Sequence, residues 1–322
     1  MRRVLVTGSS GFVGAALLKR LDDVPGIQAV AGVRRLPDIS ERSRREYMPL
    51  GNLEECLVEP RQLQGLSTIV HAAARVHVMH ERASEPLAVF RRVNVTGTLA
   101  LAKAAASAGV QRFVFLSSIK VNGESSPPGL PFTADMEPAP ADPYGISKFE
   151  AERGLLQIAR ETGMGVVIVR PPLVYGPGVR ANFLSMMRWL AKGVPLPLGG
   201  IDNRRSLVAL DNLVDLLACC IEHPAADNQV FLVSDGEDLS TSELLLRLGA
   251  ALHRPARLWG GASPLLRRAL QLAGRDALLQ RLYGSLQVDI GKTCELLGWA
   301  PPVSVRRALQ RTADDFLRRR AC

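Results

Sequence analysis

Aromatic side chains are scarce in this chain, at 5% of 322 residues. A nucleic-acid surface wants basic residues gathered on one face with aromatics between them. Here the net charge of +9 comes from scattered groups: Arg34-Arg35, Arg42, Arg44-Arg45, Arg204-Arg205 and the carboxyl end. Nucleic acid is therefore not expected as a partner, and some of these cations are expected to serve an anionic ligand such as nucleotide phosphates. Cysteine is also sparse. Cys56, Cys219, Cys220, Cys294 and Cys322 are odd in number and lack paired C-x-x-C spacing, so neither disulfides nor a zinc site is expected. Long apolar runs are missing too. Nothing approaches the roughly 18 residues of a membrane helix, and Val4-Leu5-Val6 is too short for a signal-peptide core before Gly8 intervenes. No stable membrane insertion and a cytoplasmic location are expected. What remains, 47% hydrophobic and 22% charged, suffices for a large packed core.

Apolar runs alternate with helical patterns through the first half. Strands are predicted at 3–7, 27–33, 66–71, 112–117 and 166–170, with helices at 12–21, 83–108 and 143–160. Continuous apolar strands separated by helices predict an α/β, doubly wound parallel sheet covered on both faces, with ligands outside the carboxyl ends of its strands. After Arg170 the texture breaks at Pro171-Pro172, Gly176-Pro177-Gly178 and Pro195-Leu196-Pro197, as loops lining a cleft would. Further strands of the first domain are expected at 206–210 and 229–233, flanking a helix at 211–222. The expected division is a nucleotide-binding Rossmann domain of residues 1–170 plus 206–239, and a smaller, mainly helical lobe of 171–205 plus 240–322. The tail, 303–320, reads as a basic amphipathic helix packed on the protein with one solvated face.

Thr7-Gly8-Ser9-Ser10-Gly11-Phe12-Val13-Gly14 lies between the first strand and first helix. Gly8 allows the turn, Gly11 lets backbone approach a pyrophosphate, and Gly14 permits close packing of helix on strand. The helix amino terminus adds free N–H groups and a dipole that favours an anion. The second strand ends in Val33-Arg34-Arg35, without the carboxylate that would bind the 2′-hydroxyl of NAD. Arg34 and Arg35 point to NADP(H), with NAD(H) the alternative if both are simply solvated.

A strand ending in Ser117-Ser118 is followed by Pro143-Tyr144-Gly145-Ile146-Ser147-Lys148. Tyr144 and Lys148, four apart, share a helix face. A free phenol has a pKa of about 10, too high for a base near neutrality; an adjacent lysine cation stabilises phenolate. Ser118 would hydrogen-bond the oxygen whose charge changes as hydride moves. The expected catalytic residues are Ser118, Tyr144 and Lys148.

These motifs, with His71-Ala72-Ala73-Ala74, Asn94 and Arg170-Pro171-Pro172-Leu173-Val174-Tyr175-Gly176-Pro177-Gly178, resemble the extended short-chain dehydrogenases, the NAD-dependent epimerase/dehydratase family. The resemblance implies cofactor contacts from Gly8, Ser10, Gly11, Phe12, Val13, Gly14, Arg34 and Arg35. It adds Asn52, Leu53, His71, Ala72, Ala73, Asn94, Ser117, Tyr144, Lys148 and Pro171. Asn52 stands where the family usually has aspartate. A UDP-sugar is implied as substrate. Its expected contacts are Val76, His77, Ser118, Ile119, Lys120 and Tyr144, together with Asn182, Leu196, Arg205 and Arg281. A metal role for His77 and His80 lacks a third ligand. Homodimers through the helices at 83–108 and 143–160 are common in the family.

Family dehydratases carry an Asp-Glu pair after the catalytic hydroxyl; this chain has Ile119-Lys120, which argues against dehydration. Two enzymatic readings stay open. One is an NAD(P)H-dependent reductase of a UDP-linked 2-acetamido-2,6-dideoxy-4-hexulose, as in bacterial O-antigen precursor synthesis, which residues 181–189, 193–198 and 203–214 resemble. The other is a UDP-hexose or UDP-N-acetylhexosamine 4-epimerase with tightly held NAD. A non-catalytic NADP sensor would be marked by loss of the tyrosine or lysine, and both are present.

Overall fold

The computed structural model describes residues 1–38, 45–55, 58–76, 85–127, 129–260 and 263–321. His77, His80, Arg42, Arg44, Cys56, Cys322 and the start of the helix expected from residue 83 lie outside them. Seven parallel strands form the main sheet: β1 (Arg2–Thr7), β2 (Ile27–Val33), β3 (Glu46–Pro49), β4 (Thr68–His71), β5 (Arg112–Leu116), β6 (Gly165–Arg170) and β9 (Gln229–Leu232). Their order is β3-β2-β1-β4-β5-β6-β9. Chain order reverses between β1 and β4, so a crevice opens at their carboxyl ends.

Burial explains the strand sequences. All six residues of β6 are buried, as are Val4, Leu5 and Val6 of β1, because both sheet faces are covered. On one face Leu17 and Leu21 of α1 (Phe12–Asp22) pack with Leu213, Leu216 and Leu217 of α6 (Leu210–Glu222). On the other, Leu101 and Ala105 of α3 (Thr98–Ser107) meet Leu155 and Ile158 of α4 (Pro143–Thr162).

The long helix expected at 83–108 is in fact three pieces. An α-helical turn and a half, α2 (Pro86–Arg91), passes into a π-helical segment, Arg92–Gly97, before α3 begins. β-Branched Val93, Val95 and Thr96 favour the α geometry poorly. At Gly97 any Cβ would come within 2.5 Å of the Leu53 carbonyl oxygen, so the π segment lies hard against that loop.

The strand expected at 206–210 exists, as β8 (Arg205–Ala209), but not in the first domain's sheet. It pairs in parallel with β7 (Leu173–Tyr175) and antiparallel with β10 (Asp238–Leu239), making a second, three-stranded sheet. Pro171-Pro172 ends β6 and redirects the chain into β7, a pairing no local pattern announces. Around this sheet a separate core gathers Phe183, Met187 and Leu190 of α5 (Ala181–Ala191), Leu244, Leu245 and Leu248 of α7 (Thr241–Ala251), and the tail helix. Three further helices follow α7: α8 (Ser263–Leu272), α9 (Asp276–Tyr283) and α10 (Gly291–Leu297). The tail helix, α11 (Val305–Ala321), buries Val305, Ala308, Leu309 and Phe316 and leaves its arginines outside. Among the described residues no helix is long and apolar enough to cross a membrane.

Candidate active site

Helix α4 starts where its sequence dictates. Asp142 is the N-cap, its Oδ1 accepting from Gly145 N at 2.6 Å, and Pro143 occupies the first helical position. The start is therefore fixed, and with it Tyr144. The phenol is hydrogen-bonded with Ser118, and its ring meets Phe90 edge-on at 6.0 Å between centroids. Burial and the Asp142 charge push the Tyr144 pKa up; the hydrogen bond with Ser118 works the other way. One turn on, Lys148 is buried, donating from Nζ to the Leu116 carbonyl at 2.7 Å over the Phe115 ring, 4.2 Å from its centroid. Burial lowers its pKa to about 7, opposed by Glu152. Ser118, Tyr144 and Lys148 thus converge at the carboxyl end of β5.

Several neighbouring side chains face inward rather than toward a ligand. Ser117 hydrogen-bonds Glu152, which also holds Arg170 through Nη2 at 2.6 Å and Nε at 3.0 Å. This pair is almost fully buried, and the Arg170 fork also reaches Asn122 Oδ1 at 3.0 Å. It fixes β6 to α4 behind the catalytic face. His71 is completely buried, with Nδ1 2.8 Å from Thr7 Oγ1 and Nε2 3.0 Å from Thr98 Oγ1. Burial, helped by the Lys148 charge, lowers its pKa to about 3, so it is a neutral clasp between β1, β4 and α3. Asn94, in the π segment, accepts from Arg75 N at 2.8 Å and donates to Arg75 O at 3.1 Å and Ser147 Oγ at 3.0 Å. The side chains of Ser117, His71 and Asn94, expected at the cofactor, thus have protein partners on α4, β1, α3 and the loop at Arg75.

The glycine loop fits a dinucleotide. Gly8 has φ +66°, and a Cβ there would sit 2.7 Å from Ala73 N and 2.8 Å from the Ala72 carbonyl carbon. At Gly14 it would collide with the Gly8 carbonyl oxygen. Helix α1 is capped by Gly11 with no side-chain hydrogen bond and no acidic residue in its first turn. Its N–H groups at Phe12 and Val13 therefore face outward for an anion. Ser9 Oγ donates to Gly32 O at 2.8 Å, tying the loop to β2, while Ser10 is exposed. Arg34 and Arg35, just past β2, are exposed, and neither pairs with a carboxylate among the described residues. Asn52 caps the turn at Leu53–Glu55 through Oδ1, 3.4 Å from Glu54 N. The Pro171 carbonyl accepts from Ile119 N at 3.0 Å, pinning the hydroxyl-bearing loop.

Among the residues expected to contact substrate, Arg205 opens β8 and donates to Gly284 O at 2.9 Å. Burial lowers its pKa; the charge of Glu124, in the loop after Ser118, opposes that shift and the charge of Arg281 adds to it. Asn182 is exposed at the start of α5, after Ala181 with φ +52°. Val76 is 62% exposed, and His77 lies outside the described residues. Two expected contacts turn inward: Ile119 packs with Phe132 and Leu232, and Leu196 joins the second core. Lys120 is engaged, pairing with Asp142 and, at 2.9 Å, with Glu124. Burial opposes its charge, but those hydrogen bonds prevail and hold its pKa up.

A glycine cradle at a β1–β4 switch point, with a Ser-Tyr-Lys cluster beyond it, is what a nicotinamide-dependent hydride-transfer site requires. The profile described as "Epimerase: NAD dependent epimerase/dehydratase family" matches residues 4–234. The chain belongs to this family. It is 46% identical to a UDP-glucose 4-epimerase of Vibrio cholerae, over 98% of this chain and 96% of that protein. Its fold matches the UDP-glucose 4-epimerase of Thermotoga maritima, solved with UDP-glucose, at TM-score 0.77 and 23% identity, covering 99% of this chain and all of the other. It also matches a Pseudomonas aeruginosa protein, RMD, solved with NADPH, at TM-score 0.74 and 23% identity, covering 98% and 99%.

Within this epimerase/dehydratase frame, Asp142, Glu124, Glu152 and Arg170 escaped the sequence reading. The Asp142-Pro143 step is itself a helix-start signal. Glu152 lies on the Tyr144–Lys148 face of α4, and Arg170 ends an otherwise apolar strand; each is a charge in a buried position and implies a partner.

Proposed function

We propose that the protein is an NADPH-dependent 4-ketoreductase acting on a UDP-linked 2-acetamido-2,6-dideoxy-4-hexulose for bacterial surface polysaccharide. The observation that carries the reductive direction is Arg34 and Arg35, exposed past β2 without carboxylate partners, where a 2′-phosphate would be held. Bound NADPH would supply the hydride. Tyr144, kept protonated by burial and Asp142, donates its proton to the C4 oxygen as that oxygen gains charge. Ser118 hydrogen-bonds the same oxygen, and Lys148 would hold the nicotinamide ribose and compensates the phenolate left behind. Arg205 and Arg281, with Asn182, take the diphosphate. Lys120 is tied to Asp142 and Glu124, and Ile119-Lys120 stands where family dehydratases carry an Asp-Glu pair.

A second reading is a UDP-sugar 4-epimerase with tightly held NAD, favoured by the 46% identity to the Vibrio cholerae protein. The two separate cleanly. The reductase oxidises NADPH stoichiometrically with the 4-keto-6-deoxy UDP-sugar, and NMR identifies a 6-deoxy product. Interconversion of UDP-glucose and UDP-galactose, or of their N-acetyl forms, with no net cofactor use would instead establish the epimerase.

A further inference from the structure

A cleft of about 580 Å³ opens between α5 and α11, away from the residues assigned to hydride transfer. Neither Ser118, Tyr144 nor Arg205 lines it. Its size falls within the range of small-molecule sites, roughly 300–1,000 Å³. Arg180, Arg188, Lys192, Arg319 and Arg320 all line it, against one carboxylate, Asp315. That carboxylate is already committed: it accepts from Gly178 N at 2.8 Å and pairs with Arg319 at 2.9 Å. Arg320 lies 5.9 Å from the Phe316 ring. Arg180, Arg188, Lys192 and Arg320 have no carboxylate partner among the described residues.

Sequence spacing builds this arrangement. Leu184, Met187 and Arg188 share one face of α5; Thr312, Asp315, Phe316 and Arg319 share the facing side of α11. Each face therefore presents an apolar floor and a cationic rim. Gathering like charges around one concavity raises the energy of the folded state, and an incoming anion relieves it. Arginine forks suit phosphate oxygens especially well. The cleft also adjoins the cofactor helix, since a Cβ at Gly178 would lie 3.9 Å from the Phe12 ring and 3.5 Å from Arg319 Nη2.

We propose that this cleft is a second anion site, which binds a phosphate- or diphosphate-bearing ligand with its apolar part on Leu184, Met187 and Phe316. The phosphate group comes either from a soluble molecule or from a lipid headgroup, and two probes distinguish them. Calorimetry with inorganic pyrophosphate is run on the full chain saturated with NADPH and UDP, so that the other phosphate cradles are filled. Co-sedimentation uses vesicles of equimolar phosphatidylglycerol and phosphatidylcholine, against phosphatidylcholine alone. Binding to at least one probe is expected, weakening with salt and falling at least about tenfold in Arg188→Ala/Lys192→Ala. Both positions are exposed, and unchanged NADPH binding verifies that the variant folds. Pyrophosphate binding without vesicle binding identifies a soluble ligand; retention on the anionic vesicles identifies the headgroup. The proposal is overturned if neither probe binds, or if binding survives the double substitution.

Discussion

At the site, desolvation acts in opposite senses on half-buried Tyr144 and buried Lys148: it favours the protonated phenol and disfavours the protonated amine. Tyr144 is pushed up and is therefore a proton donor as it stands; Lys148 is brought down to about 7 by burial. In Tyr144→Phe, kcat should fall about 10²–10⁴-fold, the usual contribution of a positioned acid, while NADPH binding followed by fluorescence stays near wild type. Because Lys148 must be cationic to compensate phenolate, its lowered pKa sets an alkaline limit: kcat/KM, which reports the free enzyme, should decline as pH rises through about 7. A profile flat to pH 9 would rule out that role. His71 works on stability instead. Its folded pKa of about 3 lies below the unfolded value near 6.5. Between those values the unfolded chain binds a proton that the folded one refuses, so stability falls with acidification. The loss from this group is about 1.4 kcal/mol per pH unit below 6.5. Urea midpoints at pH 7 and 5 should show it, and the His71 ring NMR signals should not titrate over that interval.

At the level of elements, α4 is the part on which catalytic geometry depends, and its first turn is set by one carboxylate. Asp142→Ala removes the cap to Gly145 N and one of the two carboxylate partners of Lys120. A loss of about 0.5–2 kcal/mol in a denaturant titration is expected, the usual range for an N-cap, together with a lower phenol pKa, since the Asp142 charge that raised it is gone. Much of this element order was legible beforehand. β1, β2, β5 and β6 are predominantly apolar runs, and α4 carries its own start signal. Other elements escaped for definable reasons. β3 is three half-buried residues and one exposed at a sheet edge, Glu46–Pro49, with no apolar run to mark it. β7 looked like part of a proline-rich loop, and β8 looked like a strand of the first domain. Their pairing, Leu173 with Leu207 through Tyr175 with Ala209, joins residues 34 positions apart, and no window of local sequence reports it. The π segment was hidden likewise, because only its contacts with Leu53, Arg75 and Ser147 reveal it. Ser118, Tyr144, Lys148 and the glycine cradle were readable because their spacing is local. The inward turns of His71, Ser117 and Ile119 were not, because each depends on what a distant element places beside it.

For the whole molecule, the decisive quantity is the difference in affinity between two cofactors that differ by one phosphate. Arg34 and Arg35 are exposed and make no ion pair with a described carboxylate, so removing them leaves no buried charge behind and should not disturb the sheet. In Arg34→Ala/Arg35→Ala the NADPH Kd should rise at least about tenfold, the loss of a charge-assisted contact to phosphate, while the NADH Kd stays within about twofold. Stability provides an independent reading, because a ligand that binds only the folded state stabilises by RT ln(1 + [L]/Kd). At 100 times Kd that is about 2.7 kcal/mol for the wild type, and after a tenfold loss in affinity about 1.4 kcal/mol at the same NADPH concentration. The double variant should therefore lose about half of the NADPH-induced rise in Tm and keep all of any rise caused by NADH. Equal stabilisation of wild type and variant by NADPH would mean that the 2′-phosphate lies elsewhere. The case for a dedicated reductase over an epimerase holding NAD would then lose the observation that carries it.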